Sequence, residues 1–300
     1  MNIERNRGIA LISVLWVLTL LTLLATGLSV NSRSQAQQSR YITHAAQVRH
    51  AADAGVQLAM LMLAQPKEQQ TWLADGSAHL IMLDDIEIRV ALFDDSGRID
   101  LNNAGVELLD GLLATARVDD DHRIRLVDAI MDWRDGDDLR RLNGAEADDY
   151  AAAGLNYGPS NAPFQSVNEV LRVLGMTPDL YRRIRHSLTL RNPRNSINPL
   201  YAPRQVLLSL PGSDSMTVEQ FISDRRQSHE EDQPPPATDM FPLSLLSDDS
   251  SGVNYTVHTE ARMNTVYRYR LTASLLDRRG TPILEQIAQE FIPLFTEPDA

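Results

Sequence analysis

The chain begins with a short polar leader, MNIERNRG, and then runs from Ile9 to Leu28 without a single charge. The only hydroxyl groups in that run belong to Ser13, Thr19, Thr22 and Thr26, and they can bond back to helix carbonyls. A helix of about 20 apolar residues rises about 30 Å, the thickness of a bilayer core. Arg5 and Arg7 precede the run, which predicts a single pass with the N-terminus cytoplasmic and all later residues across the inner membrane. Beyond the run there is no proline until Pro66. Tyr41, Ala45, Val48, Ala52, Val56, Ala59 and Leu63 recur at three- and four-residue steps, an amphipathic stripe. The pattern predicts one helix over residues 9–64, with two helices broken near Asn31-Ser32 as the alternative.

The period then changes. Residues 79–93 alternate around Ile86, Ile88 and Val90 and read as a half-buried strand or as a hairpin turning at Asp84-Asp85. Residues 254–263 and 265–277 read as strands, with turns at Met263-Asn264 and Arg278-Arg279-Gly280. Residues 283–295 read as a further strand, or as a helix. Between these groups lie helical segments at 106–116, 121–135, 166–175, 179–188 and 203–210. Ser166 with Glu169 predicts a capping box, and Thr177-Pro178-Asp179 a helix start. Residues 227–239 are polar and proline-rich, a loop composition. The expected class is α+β: a long N-terminal helix on an antiparallel sheet, with an all-helical insertion. The expected boundaries are a leader over 1–8, the helix over 9–64, the first part of the sheet domain over 65–98, the insertion over 99–240 and the closing strands over 241–300.

Charge narrows the chemistry. The formal net charge of −12 repels phosphate and argues against general nucleic-acid binding. There is no cysteine, so neither a disulfide nor a thiolate metal site can form. Residues 119–149 hold eleven acids against five arginines. Hard oxygen donors on a glycine-bearing loop suit calcium, although the spacing is not that of an EF-hand. Gly136 would let Asp135, Asp137 and Asp138 converge, and Glu146 would close the cage after a turn at Gly144. The competing reading is a solvated acidic face with Asp128 and Asp132 paired to Arg125 or Arg134.

Asn198, Ala202-Pro203, Val206-Leu207 and Leu210-Pro211-Gly212 have the look of a helix-hairpin-helix, as does the turn at Leu174-Gly175-Met176. The segment after Gly212 is acidic, however, so helix packing explains the spacing better than DNA binding does. No HExxH, GxSxG or GxxxxGK[ST] pattern occurs and the seven histidines are scattered, so no enzyme is expected.

A basic leader, then Arg7-Gly8-Ile9 and a long apolar helix resemble the layout of type IV prepilins and pseudopilins. A cleaved secretory signal ending near Ala25-Thr26-Gly27 and a plain uncleaved anchor are the competing readings. The stretches DDSGRIDLNNA (94–104), DWRDGDD (132–138), 161–190 and SINPLYAPRQVLLSLPG (196–212) resemble, in order and combination, the protein K family of type II secretion systems. That resemblance implies cleavage by a prepilin peptidase between Gly8 and Ile9 with N-methylation of Ile9. It implies a minor pseudopilin at the pseudopilus tip, partnered by minor pseudopilins I and J, that starts and limits the fibre for export across the outer membrane. Bulk pseudopilins carry glutamate at the fifth mature position, where this chain has Ser13; the family shows the same departure. The family also binds calcium in its insertion, and Asp135, Asp137, Asp138 and Glu146 match that pattern best. The alternatives are a minor pilin of a type IV pilus, against which the insertion argues, or a membrane-anchored periplasmic binding protein.

Overall fold

The structure, a computed structural model, describes residues 7–66, 69–247, 251–264, 267–278 and 280–291. Most of the expected leader, residues 1–6, lies outside the described residues, as do the side chains of 7–10, 27–34, 36 and 289–291.

The first element is one helix, α1 (Arg7–Leu63), of 57 residues, with no break at Asn31-Ser32. Its last third lies on the sheet through Val48, Ala51, Ala52, Val56, Ala59 and Leu63, all buried. Higher up, the predicted stripe only grazes the sheet: Tyr41 packs its ring 5.6 Å from that of Tyr267. Gly55 sets the approach of helix to sheet. A Cβ there would stand 2.9 Å from the Thr259 methyl and 3.0 Å from a Val90 methyl, so any side chain would lift the helix away.

The sheet has five antiparallel strands in the order β1-β2-β5-β6-β7. They are β1 (Asp75–Leu83), β2 (Ile86–Asp94), β5 (Asn254–Met263), β6 (Tyr267–Asp277) and β7 (Pro282–Phe291). The β1–β2 turn falls at Asp84-Asp85 as expected, with Asp84 left-handed at φ 51°. The last segment is a strand, not the alternative helix. Ile88, Val90, Val257, Ala261, Leu271 and Ala273 point at α1 and close the sheet core.

Everything between β2 and β5 forms a second core. It contains α2 (Val106–Thr115), α3 (Asp120–Arg134), α4 (Ala147–Ala152), α5 (Pro178–Ile184), α6 (Arg204–Leu208) and α7 (Ser215–Glu230). Their apolar faces meet around Leu109, Leu112, Leu126, Ile130, Trp133 and Val206. The block is not all-helical as expected. Short strands β3 (Ile99–Asp100) and β4 (Leu188–Thr189) pair in parallel and tie its first residues to its middle. The expected capping box at Ser166 is also absent: Ser166 makes no capping bond. Glu169 instead accepts from the Trp133 indole N–H and the Gln165 N–H, and residues 167–172 are 3-10 turns. Burying an indole N–H without a partner costs more than an exposed cap returns. Thr177 does cap α5, through the Leu180 N–H. The long helix α7, at 215–230, was not expected, and it takes up part of the polar segment read as loop.

The two cores meet at a polar joint built from the motif at 94–104. Asp95, fully buried, accepts from Arg98 and from the Thr256 hydroxyl on β5. Asp100 gathers the backbone N–H groups of Asn102, Asn103 and Asn192 and the side-chain amide of Asn103. Gly97 passes so close to Tyr201 that a Cβ would fall 2.4 Å from its carbonyl. From the far side of the block, Arg225 of α7 reaches Asp75 at the start of β1 (2.5 Å), with both side chains nearly fully buried.

Candidate functional site

Three regions carry the candidate residues: the start of α1, the acidic loop after α3, and the hairpin before α7.

On α1 the described apolar side chains from Leu11 to Leu24 are all exposed, by 55 % to 73 % for the large ones. Ser13 lies among them. Gly8 and Ile9 fall within the helix, but their side chains lie outside the described residues. Among the described residues, no helix is long and apolar enough to cross a membrane.

The acidic loop is organised from a residue that the expected ligand set omits. Asp132, on the last turn of α3, is fully buried. It accepts from the Arg141 and Ala145 N–H groups at 3.2 Å and 3.0 Å and pairs with the Arg141 guanidinium at 3.4 Å. Its pairing is thus with Arg141 and not with Arg125 or Arg134. Asp128 likewise holds Asn143 through its backbone and side-chain amides. Arg134 turns away and donates to the Leu101 and Ala104 carbonyls. Gly144 is required where the loop crosses Asp132, since a Cβ there would overlap the carboxylate at 1.9 Å. Gly136, expected to permit the bend, stands in open space without a left-handed φ, so glycine is not needed for the turn there.

The four expected ligands, three on the loop after α3 and one at the start of α4, differ in their surroundings. Glu146 is buried, and neither carboxylate oxygen has a hydrogen-bond partner. Asp135 caps the end of α3 and has one buried oxygen without a partner. Burial pushes the Glu146 carboxyl up to about 7, with Asp132, Asp135, Asp138 and Asp137 adding to the shift. Burial, then Asp137, raises Asp135 as well. Asp137 and Asp138 are exposed and otherwise engaged, Asp137 with the Leu139 N–H and Asp138 with the Asn161 amide at 2.7 Å. Among the described residues, no three acidic or histidine side chains are already closed around one point. A cluster of carboxylates that includes an orphaned buried pair of oxygens is nonetheless a donor set suited to a hard divalent cation. Asn161, with a left-handed φ of 46° and a buried, unpartnered carbonyl oxygen, faces the same loop. No sequence signal marked it.

The hairpin before α7 turns at Gly212 with φ 77°. In a DNA-gripping hairpin the amides that open the second helix stay free for phosphate. Here the Asp214 carboxylate already occupies them, accepting from Met216 and Thr217 at 2.8 Å and 3.0 Å. The protein's own anion fills the phosphate's place.

A single long helix on an antiparallel sheet, with a helical block spliced between two adjacent strands, is an α+β architecture. Residues 90–193 match the family model described as Type II secretion system (T2SS), protein K. The Klebsiella pneumoniae type II secretion system protein K is 30 % identical over 200 residues, 60 % of this chain and 61 % of that one. The Pseudomonas aeruginosa protein of that name is 29 % identical over 202 residues, covering 60 % of each chain. The chain thus spans about 60 % of the length of the curated relatives it matches. In fold it matches a chain from the GspK-GspI-GspJ complex of enterotoxigenic Escherichia coli, with a TM-score of 0.55 at 17 % identity, over 87 % of this chain and all of that one. Family model and curated sequences point the same way: over residues 90–193 and about 60 % of its length the chain is similar to type II secretion system protein K, and the solved fold is compatible with that.

Proposed function

We propose that the chain acts as a minor pseudopilin of a type II secretion system and works by assembly, not catalysis. The observation that carries this reading is the union of one continuous 57-residue helix with a large block between β2 and β5. The helix offers a rod along which sister subunits pack, and the block gives one end of the subunit a bulk that such packing cannot extend past. On this reading the uncharged run from Ile9 to Leu28 crosses the inner membrane, and sheet and block stand in the periplasm. Its partners on this reading are minor pseudopilins I and J, by analogy with the GspK-GspI-GspJ complex whose chain it matches in fold. A prepilin peptidase cuts between Gly8 and Ile9 and methylates Ile9. Ser13 leaves no carboxylate to pair with a neighbouring subunit's N-terminal amine, which suits the subunit that begins the fibre and occupies its tip. The same features limit further growth there.

Asp135, Asp137, Asp138 and Glu146 would hold a calcium ion. When bound, calcium supplies two positive charges to a loop that otherwise holds its carboxylates together at an electrostatic cost. The chain's own part is to bury Glu146 and to pin residues 141–145 on Asp132, so that the loop keeps its shape.

Mass spectrometry of the N-terminus of the membrane-extracted protein tests the assignment. A mature chain beginning at N-methylated Ile9 is the expected result. An intact Met1, or cleavage near residue 27, would overturn it.

A further inference from the structure

The two edges of the five-stranded sheet are finished differently. β7 carries Pro282, Glu285 and Glu290 along its length, and Glu285 is clamped at 2.8 Å by Arg191 of the helical block. Charges and proline are how sheets keep their edges from pairing with other chains. β1 has no such guard. From Gly76 to Leu83 it reads GSAHLIML, without a charge or a proline. It spans nine residues, longer than the usual five or six, and among the described residues it pairs with β2 alone. Its other row of backbone N–H and C=O groups therefore faces outward.

The side chains repeat the message. Leu80 and Met82 lie on the sheet face turned away from α1 and are 60 % and 62 % exposed. Their cross-strand neighbours are Arg89 and Glu87, an ion pair at 2.9 Å that offers them no apolar cover. At the end of the strand Leu83 is 49 % exposed. The start of β1 is covered by the Asp75–Arg225 contact, and on the α1 side Trp72 stacks on His79 at 4.1 Å; among the described residues the face of Leu80 and Met82 has no such cover.

We infer that β1 is an interaction strand that receives an extended segment of a partner protein, adding a sixth strand to the sheet. Open backbone groups on a flat edge select another strand. Leu80 and Met82 select apolar residues at alternate positions of that strand. The exposed Asp84-Asp85 turn selects a basic residue where the segment passes it. A second copy of this chain is a poor occupant. Parallel pairing would set Asp84 and Asp85 beside their own counterparts, antiparallel pairing would set them beside Asp75, and each copy brings a net charge of −12. The inference rests on the assembly reading above and names the edge through which one of the flanking subunits is held.

The absence of cysteine allows a clean test. Leu80→Cys, Met82→Cys and, on the opposite edge, Ile287→Cys are made in the full chain and reconstituted in detergent with purified pseudopilins I and J. The partners carry single cysteines scanned along their strands. The expected result is disulfide capture of a partner from position 80 or 82 and none from 287. The charged variant Leu80→Lys/Met82→Lys, at two exposed positions, is expected to keep the fold and weaken assembly by roughly tenfold or more, as befits charges forced into an apolar contact. A complex that forms while positions 80 and 82 capture nothing overturns the edge assignment and leaves the assembly reading standing. Capture of a second copy of this chain through position 80 overturns the choice of partner. A chain that forms no complex with those subunits overturns both readings.

Discussion

Glu146 shows how much a single carboxyl can reveal when its surroundings are read together. Nothing donates to it, water is kept away, and its neighbours are acids. Its carboxyl holds a proton up to about pH 7, against a value of 4.5 in an unfolded chain. A group raised in this way binds more protons folded than unfolded, so it subtracts stability as pH rises from about 4.5 to 7 and leaves that loss in full above. Asp94, raised to about 6 chiefly by burial, acts in the same direction, whereas His186, lowered to about 4 by burial and nearby arginines, acts in the opposite one. The clean quantity is therefore a difference between parent and variant. Glu146→Gln is expected to stabilise the metal-free protein more at pH 8 than at pH 5. It is also expected to abolish any rise in melting temperature on adding calcium, and calorimetry at the two pH values reads both. Equal gains at both pH values would remove the argument for a poised carboxylate. The acids were plain in the sequence, but their division of labour was not. Asp132 and Asp135 look alike along the chain, and only burial separates the one that builds the loop from the one left open.

At the scale of elements, period and punctuation carried most of the fold. The switch from three- and four-residue steps to alternation places α1, β1 and β2, and the Thr177-Pro178 pair places the start of α5. Where the reading failed, a tertiary partner overrode a local rule. Glu169 had a buried indole to satisfy and left Ser166 uncapped. Residues 215–230 carry a polar, acidic surface and show too few apolar positions to announce a helix; Val218, Phe221 and Arg225 alone are buried there. That helix depends on its cap. Asp214→Ala is expected to lower the midpoint of urea unfolding, as loss of an N-cap does. Fluorescence anisotropy with duplex DNA is expected to show no binding by the parent. Tight, salt-sensitive binding by the parent would mean that the hairpin amides are available after all. The close approach of α1 to the sheet was equally invisible in the sequence, since Gly55 has no periodic signature. Only the Thr259 and Val90 methyl groups opposite it explain the residue.

For the whole molecule the question is whether two cores behave as one. Among the described residues the charged contact between α7 and the sheet core is Arg225 with Asp75, and Arg225 also donates to the Pro199 and Ala202 carbonyls. Removing one member of a buried pair leaves the other uncompensated and costs about 3–5 kcal/mol. Arg225→Ala is thus expected to turn a single thermal transition into two, with the helical block melting first. An unchanged single transition would mean that the joint at residues 94–104 suffices to couple the cores.

That joint has a geometric consequence. Asp94 and Tyr255 face each other across adjacent strands, so the backbone leaves the sheet and returns to it with ends only about 5 Å apart. To β2 and β5, some 160 residues of intervening chain amount to the loop of a hairpin. The register of β2 on β5 is set across that short gap and not by the length of the chain between. A two-residue turn joining Asp94 to Tyr255 would leave a plain subunit behind.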